Sequence, residues 1–125
     1  DRFIKTEFSG TTAVICIIRG SSLTVLNVGD SRAILASEVG DECVVMNLTR
    51  DHKPSLPDER SRIEQAGGRV FSMEYDDGYD GPMRVWLKDQ DIPGLAMSRS
   101  ICDTVAHSVG NDERNDFIDR SNFRT

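Results

Sequence analysis

The sequence predicts an α+β fold that is one small domain or a part of a larger one, since it holds 125 residues. Four short segments rich in β-branched residues are separated by turns, which is typical of antiparallel strands. One later segment carries the start and stop signals of a helix. The hydrophobic fraction of 38%, together with ten glycines, is ordinary for a globular protein.

The strands are predicted in the first part of the chain. Residues 11–19 are almost continuously apolar and β-branched, which favours a buried strand. Residues 23–28 follow a Gly-Ser-Ser turn and form the second strand, and residues 33–36 and 43–48 form the third and fourth. Because the connections are short, we expect an antiparallel meander.

The helix is predicted to begin near Ser55. Ser55 and Asp58 have the spacing of a capping box, and Pro57 is tolerated in a first helical turn. The glycines at 67–68 end the helix, because glycine readily takes the left-handed conformation after a last turn. Ile63 lies on its apolar face.

The region after the helix is less regular. Residues 72–93 are acidic, contain several glycines and lack periodicity, so they predict a long loop whose far side is anchored by Trp86 and Leu87. Residues 95–97 enter another strand or strand–turn, and residues 101–108 predict a short helix.

Composition excludes some classes of protein. A net charge of −6 argues against a nucleic-acid binder, and no apolar run is long enough to span a bilayer. Residues 1–5 are not followed by the apolar stretch of a signal peptide. Three widely spaced cysteines favour reduced thiols. We therefore expect an intracellular protein, with the cytoplasm favoured over the nucleus.

The most informative position is Asp30, a carboxylate directly after a predicted strand and a glycine. By itself this pattern is most often a turn. Carboxylate oxygens nevertheless suit Mg²⁺ or Mn²⁺, and such ions activate water and neutralise phosphate. We expect Arg32 to hold the turn. Asp51 and His52 are a possible acid/base pair, but neighbours on an extended segment face opposite ways, which favours a structural role.

Other chemistries are not supported. The acidic run at residues 76–81 resembles a calcium loop, but the third position is Gly78 and the twelfth is Leu87, where ligands are needed. No cysteine is followed six positions later by the arginine of thiol-dependent phosphatases. The sequence also lacks a P-loop, a Gly-x-Ser-x-Gly elbow and zinc-type spacing.

Six short strings occur in one order along the chain. They are SGTTA at 9–13, NVGDSRA at 27–33, TRDHKP at 49–54, DER at 58–60, AGGRV at 66–70 and GLAMSRS at 94–100. In this order they resemble the middle of the metal-dependent serine/threonine protein phosphatases of type 2C. The resemblance implies part of a two-sheet antiparallel β-sandwich flanked by helices.

The resemblance also implies a chemistry. In that family the residue matching Asp30 contributes to a metal site beside a central metal pair, so Asp30 is the predicted metal ligand and Mg²⁺ or Mn²⁺ the predicted cofactor. The substrates would be phosphoproteins, and a metal-activated water would attack the phosphorus of phosphoserine or phosphothreonine directly.

The sequence departs from the family in ways that limit this prediction. It lacks the upstream Asp-Gly-x-x-Gly and the downstream Asp-Gly-x-Trp-Asp, and Cys102 stands where the family has glycine before Asp103. We expect Asp103 to hold a turn. Residues 1–110 are then the central part of the domain, residues 111–125 a polar, disordered or divergent tail, and no catalytic residue is identifiable. We expect this chain to be inactive alone; the alternative is a non-catalytic, pseudophosphatase-like interaction module.

Overall fold

The structure is a computed structural model that describes residues 4–76, 78 and 81–110, together with the backbone of 116–120. It combines helices with antiparallel strands, which confirms the predicted α+β class. The described elements are, in chain order, β1 (Gly10–Thr11), β2 (Ala13–Arg19), β3 (Ser22–Val28), β4 (Ile34–Val39), β5 (Glu42–Asn47), α1 (Pro57–Gln65), β6 (Arg69–Phe71), β7 (Arg84–Trp86), β8 (Pro93–Leu95), β9 (Ile101–Cys102), α2 (Thr104–His107) and β10 (Asp116–Arg120).

The four predicted strands form two antiparallel hairpins. In the first hairpin, Ala13 of β2 pairs with Val28 of β3, and in the second, β4 pairs with β5. The two hairpins lie in separate sheets, so the predicted continuous meander is wrong. The chain leaves the path of β3 at Gly29, whose φ of +96° is closed to most other residues.

Strand β2 is exposed, and its predicted burial is wrong. Ile15 is 52% exposed and Ile18 is 75% exposed. β2 is one of the two edge strands of the sheet with order β10-β3-β2. β-branched residues specify an extended backbone, but they do not determine what packs on it.

Helix α1 begins differently from the prediction and ends as predicted. Its N-cap is Leu56, which makes no side-chain capping bond, so the predicted capping box is wrong. Asp58 instead accepts two hydrogen bonds from Arg50. Pro57 occupies the first turn, where its missing N–H costs no helical hydrogen bond. Beyond the last turn, Gly67 has a φ of +88°, as expected for a helix terminator.

The region predicted as one long loop contains a strand. β7 lies between β6 and β8 in a three-stranded antiparallel sheet. Val85 is fully buried, and Trp86 stacks on Phe71 with ring centroids 5.0 Å apart. Trp86 therefore anchors this region, as predicted. Its Nε1 also donates to the backbone oxygen of Phe71 over 3.0 Å.

A cluster of buried apolar residues joins this sheet to α1 and to the turn after α2. Its buried members are Ile63, Val70, Val85 and Val109, with Met83 and Leu87 packed against them. Val25 and Val28 of β3 and Leu48 are buried outside this cluster, whereas the apolar side chains of β2, β4 and β5 are largely exposed.

The last elements refine two predictions. The predicted helix at 101–108 is helical only over α2, because Ile101 and Cys102 pair with β1. In the tail predicted to be disordered or divergent, the backbone of Asp116–Arg120 forms β10 and pairs with β3, and the character of the tail as a whole stays a prediction. Residues 111–115 and 121–125, and parts of the acidic run at 76–81, lie outside the described residues.

Candidate functional site

Asp30 lies directly after β3, at the point where the chain turns away from the sheet. Its side chain is about one-quarter exposed and pairs with the ammonium group of Lys53. The sequence placed a carboxylate at a strand end, and the structure agrees with that position. The ion pair with Lys53 was not predicted, because 23 residues separate the partners.

Gly29 packs tightly against Thr12, the residue that precedes β2. A Cβ at this position would overlap the methyl group of Thr12 and lie 2.8 Å from its Cβ. The hydroxyl groups of Thr12 and Ser31 are 2.7 Å apart and share a hydrogen bond. Only glycine fits here, because the position requires both the space and the positive φ.

His52 holds the peptide groups of Gly29. The amide of Gly29 donates to His52 Nδ1 over 2.9 Å, and the amide of His52 donates to the carbonyl oxygen of Gly29 over 3.0 Å. The buried Asn27 side chain adds a bond from Nδ2 to the same oxygen at 3.3 Å. His52 is 1% exposed, so its ring is part of the packed interior. These three hydrogen bonds to the peptide groups of Gly29 therefore stabilise the turn that carries Asp30.

Asp51 and His52 do not act as a pair in this geometry. Asp51 binds the Nε and Nη2 of Arg32 at 2.9 and 2.8 Å, whereas His52 faces Gly29. The hydrogen bond from Arg32 is the main cause that lowers the pKa of Asp51 below its ordinary value. This arrangement agrees with the structural roles expected for Arg32, Asp51 and His52.

A buried carboxylate that the sequence analysis missed lies on α1. Glu59 is 2% exposed and accepts hydrogen bonds from Arg99 at 2.5 Å, from the hydroxyl of Ser98 at 2.5 Å and from Arg62 at 2.6 Å. Burial alone would raise the pKa of Glu59, but these three donors together lower it to about 2. Glu59 and Arg62 are three residues apart on one face of the helix, so their contact could have been predicted from the sequence. The contact between Glu59 and Arg99, which are 40 residues apart, could not.

The Glu59 cluster is connected to the turn at Asp30. The amide of Ser98 donates to the carbonyl oxygen of His52 over 3.0 Å, and Ser98 is fully buried. Helix α1, the segment at 98–100 and the Gly29 turn thus form one connected set of hydrogen bonds. Ser98, within the string GLAMSRS, therefore links α1 to the segment that holds the turn of Asp30.

Cys102 and Asp103 have left-handed backbones, with φ of +69° and +48°. This conformation explains why a glycine would suit position 102. The backbone carbonyl of Asp103 accepts from the amides of Ala106 and His107, which begins α2. The role expected for Asp103, holding a turn, agrees with these contacts and stays a prediction.

The described residues do not fit a complete divalent-cation site. Mg²⁺ and Mn²⁺ take several oxygen ligands. Asp30 is already paired with Lys53, and in the described part of the chain no three His, Cys, Asp or Glu side chains converge. Asp30 as a metal ligand therefore stays a prediction, and any further ligands would come from elsewhere.

A sequence model described as protein phosphatase 2C matches residues 3–110. The chain is 51% identical over 98 residues to "Probable protein phosphatase 2C 12" of Oryza sativa subsp. japonica, a match that covers 77% of this chain and 24% of the rice protein. It is 46% identical over 110 residues to "Probable protein phosphatase 2C 73" of Arabidopsis thaliana, covering 87% of this chain and 29% of that protein.

A solved structure shares the fold of this chain. The fold is similar to that of a serine-threonine phosphatase 2C from Toxoplasma gondii, with a TM-score of 0.81 and 22% identity, over 94% of this chain and 39% of that one. The chain belongs to the protein phosphatase 2C family. It spans roughly a quarter of the length of the curated relatives that it matches. No helix in the described part of the chain is long and apolar enough to cross a membrane.

Proposed function

We propose that the whole protein is a Mg²⁺- or Mn²⁺-dependent phosphatase of phosphoserine and phosphothreonine in intracellular phosphoproteins. The observation that carries the proposal is the family match over residues 3–110, which includes the turn built around Asp30. In this proposal Asp30 contributes one carboxylate to an accessory metal site, and the remaining ligands lie outside this chain.

The first test measures phosphate release from a phosphothreonine peptide by the full-length protein, with and without Mn²⁺. We expect turnover with Mn²⁺ and its loss after chelation. We expect negligible turnover from the 125-residue chain alone, because a single carboxylate does not hold the ions that position water and phosphate. Robust turnover from the isolated chain would contradict the incomplete site.

A second test addresses Asp30 itself by calorimetric titration of the full-length protein with Mn²⁺. Asp30→Ala should weaken the binding of at least one ion by about tenfold or more. Asp41→Ala, in the exposed turn between β4 and β5, is the matched control and should bind like the wild type.

The alternative is a non-catalytic interaction module, and Cys102 motivates it. The left-handed φ at this position strains a cysteine where the family resemblance leads us to expect glycine. Absence of Mn²⁺ binding and of turnover in the full-length protein would favour this alternative. Stoichiometric binding that disappears in Asp30→Ala would exclude it.

A further inference from the structure

A cavity of about 560 Å³ lies beside the turn that carries Asp30. Arg32 lines it from the turn after β3, and Arg50 and Lys53 line it from the segment between β5 and α1. Thr49 and Ser55 add neutral polar groups. The cavity therefore presents hydrogen-bond donors from two different parts of the chain.

The charge of this lining is opposite to the charge of the chain. Among the described residues that line the cavity, Arg32, Arg50 and Lys53 are cationic and only Asp51 is anionic. The chain as a whole carries a net charge of −6. The carboxylates that pair with Arg50 and Lys53, those of Asp58 and Asp30, do not line the cavity, so the lining itself offers more charged donors than acceptors and favours an anionic ligand over a cationic one.

Both arginines of the cavity take part in exposed ion pairs. Arg32 pairs with Asp51 at 2.8 Å and Arg50 with Asp58 at 2.6 Å, and both guanidinium groups are more than half exposed. Exposed pairs of this kind contribute only about 0–1 kcal/mol, so exchanging or sharing a partner costs little. A guanidinium also offers five N–H donors in a planar fork that matches a carboxylate or a phosphate.

The cavity adjoins the predicted metal ligand, because Lys53 lines the cavity and also contacts Asp30. A substrate peptide whose phosphorylated residue lies at Asp30 would place a neighbouring side chain in the cavity. We propose that the cavity binds an anionic side chain of the substrate, a carboxylate or a second phosphate, next to the phosphorylated residue. This inference rests on the proposed function and adds a substrate class to it.

The test measures binding without turnover, by fluorescence anisotropy of labelled phosphothreonine peptides and full-length protein in the presence of a chelator. The peptides differ only at the positions beside the phosphothreonine, which carry alanine, glutamate or phosphoserine. We expect the two anionic peptides to bind about fivefold more tightly than the alanine peptide. The anionic peptide that binds more tightly shows whether the cavity prefers a carboxylate or a phosphate. The preference for anionic peptides over the alanine peptide should decrease at high salt.

The variants separate the cavity from general charge effects. Arg50→Gln should remove most of the preference, and Arg50→Lys should keep part of it. Arg60→Gln is the matched control, because Arg60 is a similarly exposed arginine on α1 that pairs with Glu64 and does not line the cavity. Urea unfolding of each variant verifies that it is folded.

Equal affinity for all the peptides would overturn the inference, as would an equal loss of preference in Arg50→Gln and Arg60→Gln. Hydrolysis of p-nitrophenyl phosphate by the wild type with Mn²⁺ tests the proposed function separately. This small substrate has no flanking side chains. Its hydrolysis together with equal peptide affinities would therefore reject only the cavity, whereas anionic preference without hydrolysis would reject only the enzyme.

Discussion

His52 and Gly29 bind each other through two hydrogen bonds, one from each backbone amide. Lys53 follows His52 and Asp30 follows Gly29, so the same register brings the ammonium group to the carboxylate. The pairing of Gly29 with His52 therefore helps to position Asp30, in addition to the contact between the Asp30 side chain and Lys53. In this arrangement Nδ1 of His52 acts as an acceptor and carries no proton.

Removing the acceptor at His52 should destabilise the protein. His52→Leu leaves the buried amide of Gly29 without a partner, which costs about 1–3 kcal/mol. His52→Asn places an oxygen near the position of Nδ1 and should recover part of this loss. Urea unfolding of the full-length variants measures both values. Equal destabilisation by Leu and Asn would show that ring packing, and not the hydrogen bond, is what matters.

Adding a methyl group at Gly29 should be more damaging than adding one at Gly67. The two glycines have similar positive φ, +96° and +88°, so both alanine variants carry a similar backbone cost of at least about 1 kcal/mol. Only Gly29→Ala also forces the new Cβ against Thr12, whereas nothing lies within 4 Å of a Cβ at Gly67. The difference in free energy of unfolding between the two variants isolates this overlap. Similar values for both would contradict the tight packing at Gly29.

Acid should remove the stability that Glu59 contributes. The pKa of Glu59 in the folded state is about 2, below its ordinary value of 4.5, so the folded state binds this proton less readily than the unfolded state. Its contribution is complete above about pH 5 and falls by about 3 kcal/mol as the pH decreases towards 2. The stability advantage of the wild type over Glu59→Gln should shrink over this range.

Glu64 provides the control for this pH dependence. It pairs with Arg60 on the same helix, but both side chains are nearly half exposed. Glu64→Gln should therefore change stability by less than about 0.5 kcal/mol at neutral pH. Unfolding midpoints across a pH series give both comparisons. A pH dependence that is identical in the wild type and Glu59→Gln would count against the buried cluster.

Replacing Cys102 by glycine should stabilise the protein. A left-handed cysteine costs more than the conformational entropy that glycine loses on folding, so we expect a gain of about 0.5–1 kcal/mol. Cys43→Gly, at the second residue of β5, should instead destabilise by a similar amount, because glycine is unfavourable within a strand. Thermal unfolding distinguishes the two. A loss of stability in Cys102→Gly would indicate that the thiol packs favourably enough to outweigh the strain.

Features encoded by neighbouring residues could be predicted from the sequence. The extended segments at β2, β3, β4 and β5, the end of α1 at Gly67 and the turn before Asp30 all depend on β-branched residues or on glycine. These signals are local, and the structure places each feature close to its predicted position.

Features that depend on distant residues could not be predicted. β7 has three residues, too few for a periodic pattern, and exists because β6 and β8 lie on either side of it. The partners of Glu59 at 98–99 are about 40 residues away. The N-cap is Leu56 because Pro57 takes the first helical position, and the side chain of Asp58 is bound to Arg50, a residue outside the helix. The exposure of Ile18 likewise depends on what packs against β2, which the local sequence does not encode.

The amides of Gly29, His52 and Ser98 are linked in series, since the first donates to the ring of His52 and the other two donate to the carbonyls of Gly29 and His52. Opening any one of these bonds displaces a group on which another depends. We therefore expect these three amide hydrogens to exchange with solvent deuterium at coupled rates, and the segments around 29, 52 and 98 to open as one cooperative unit although they are far apart in the chain.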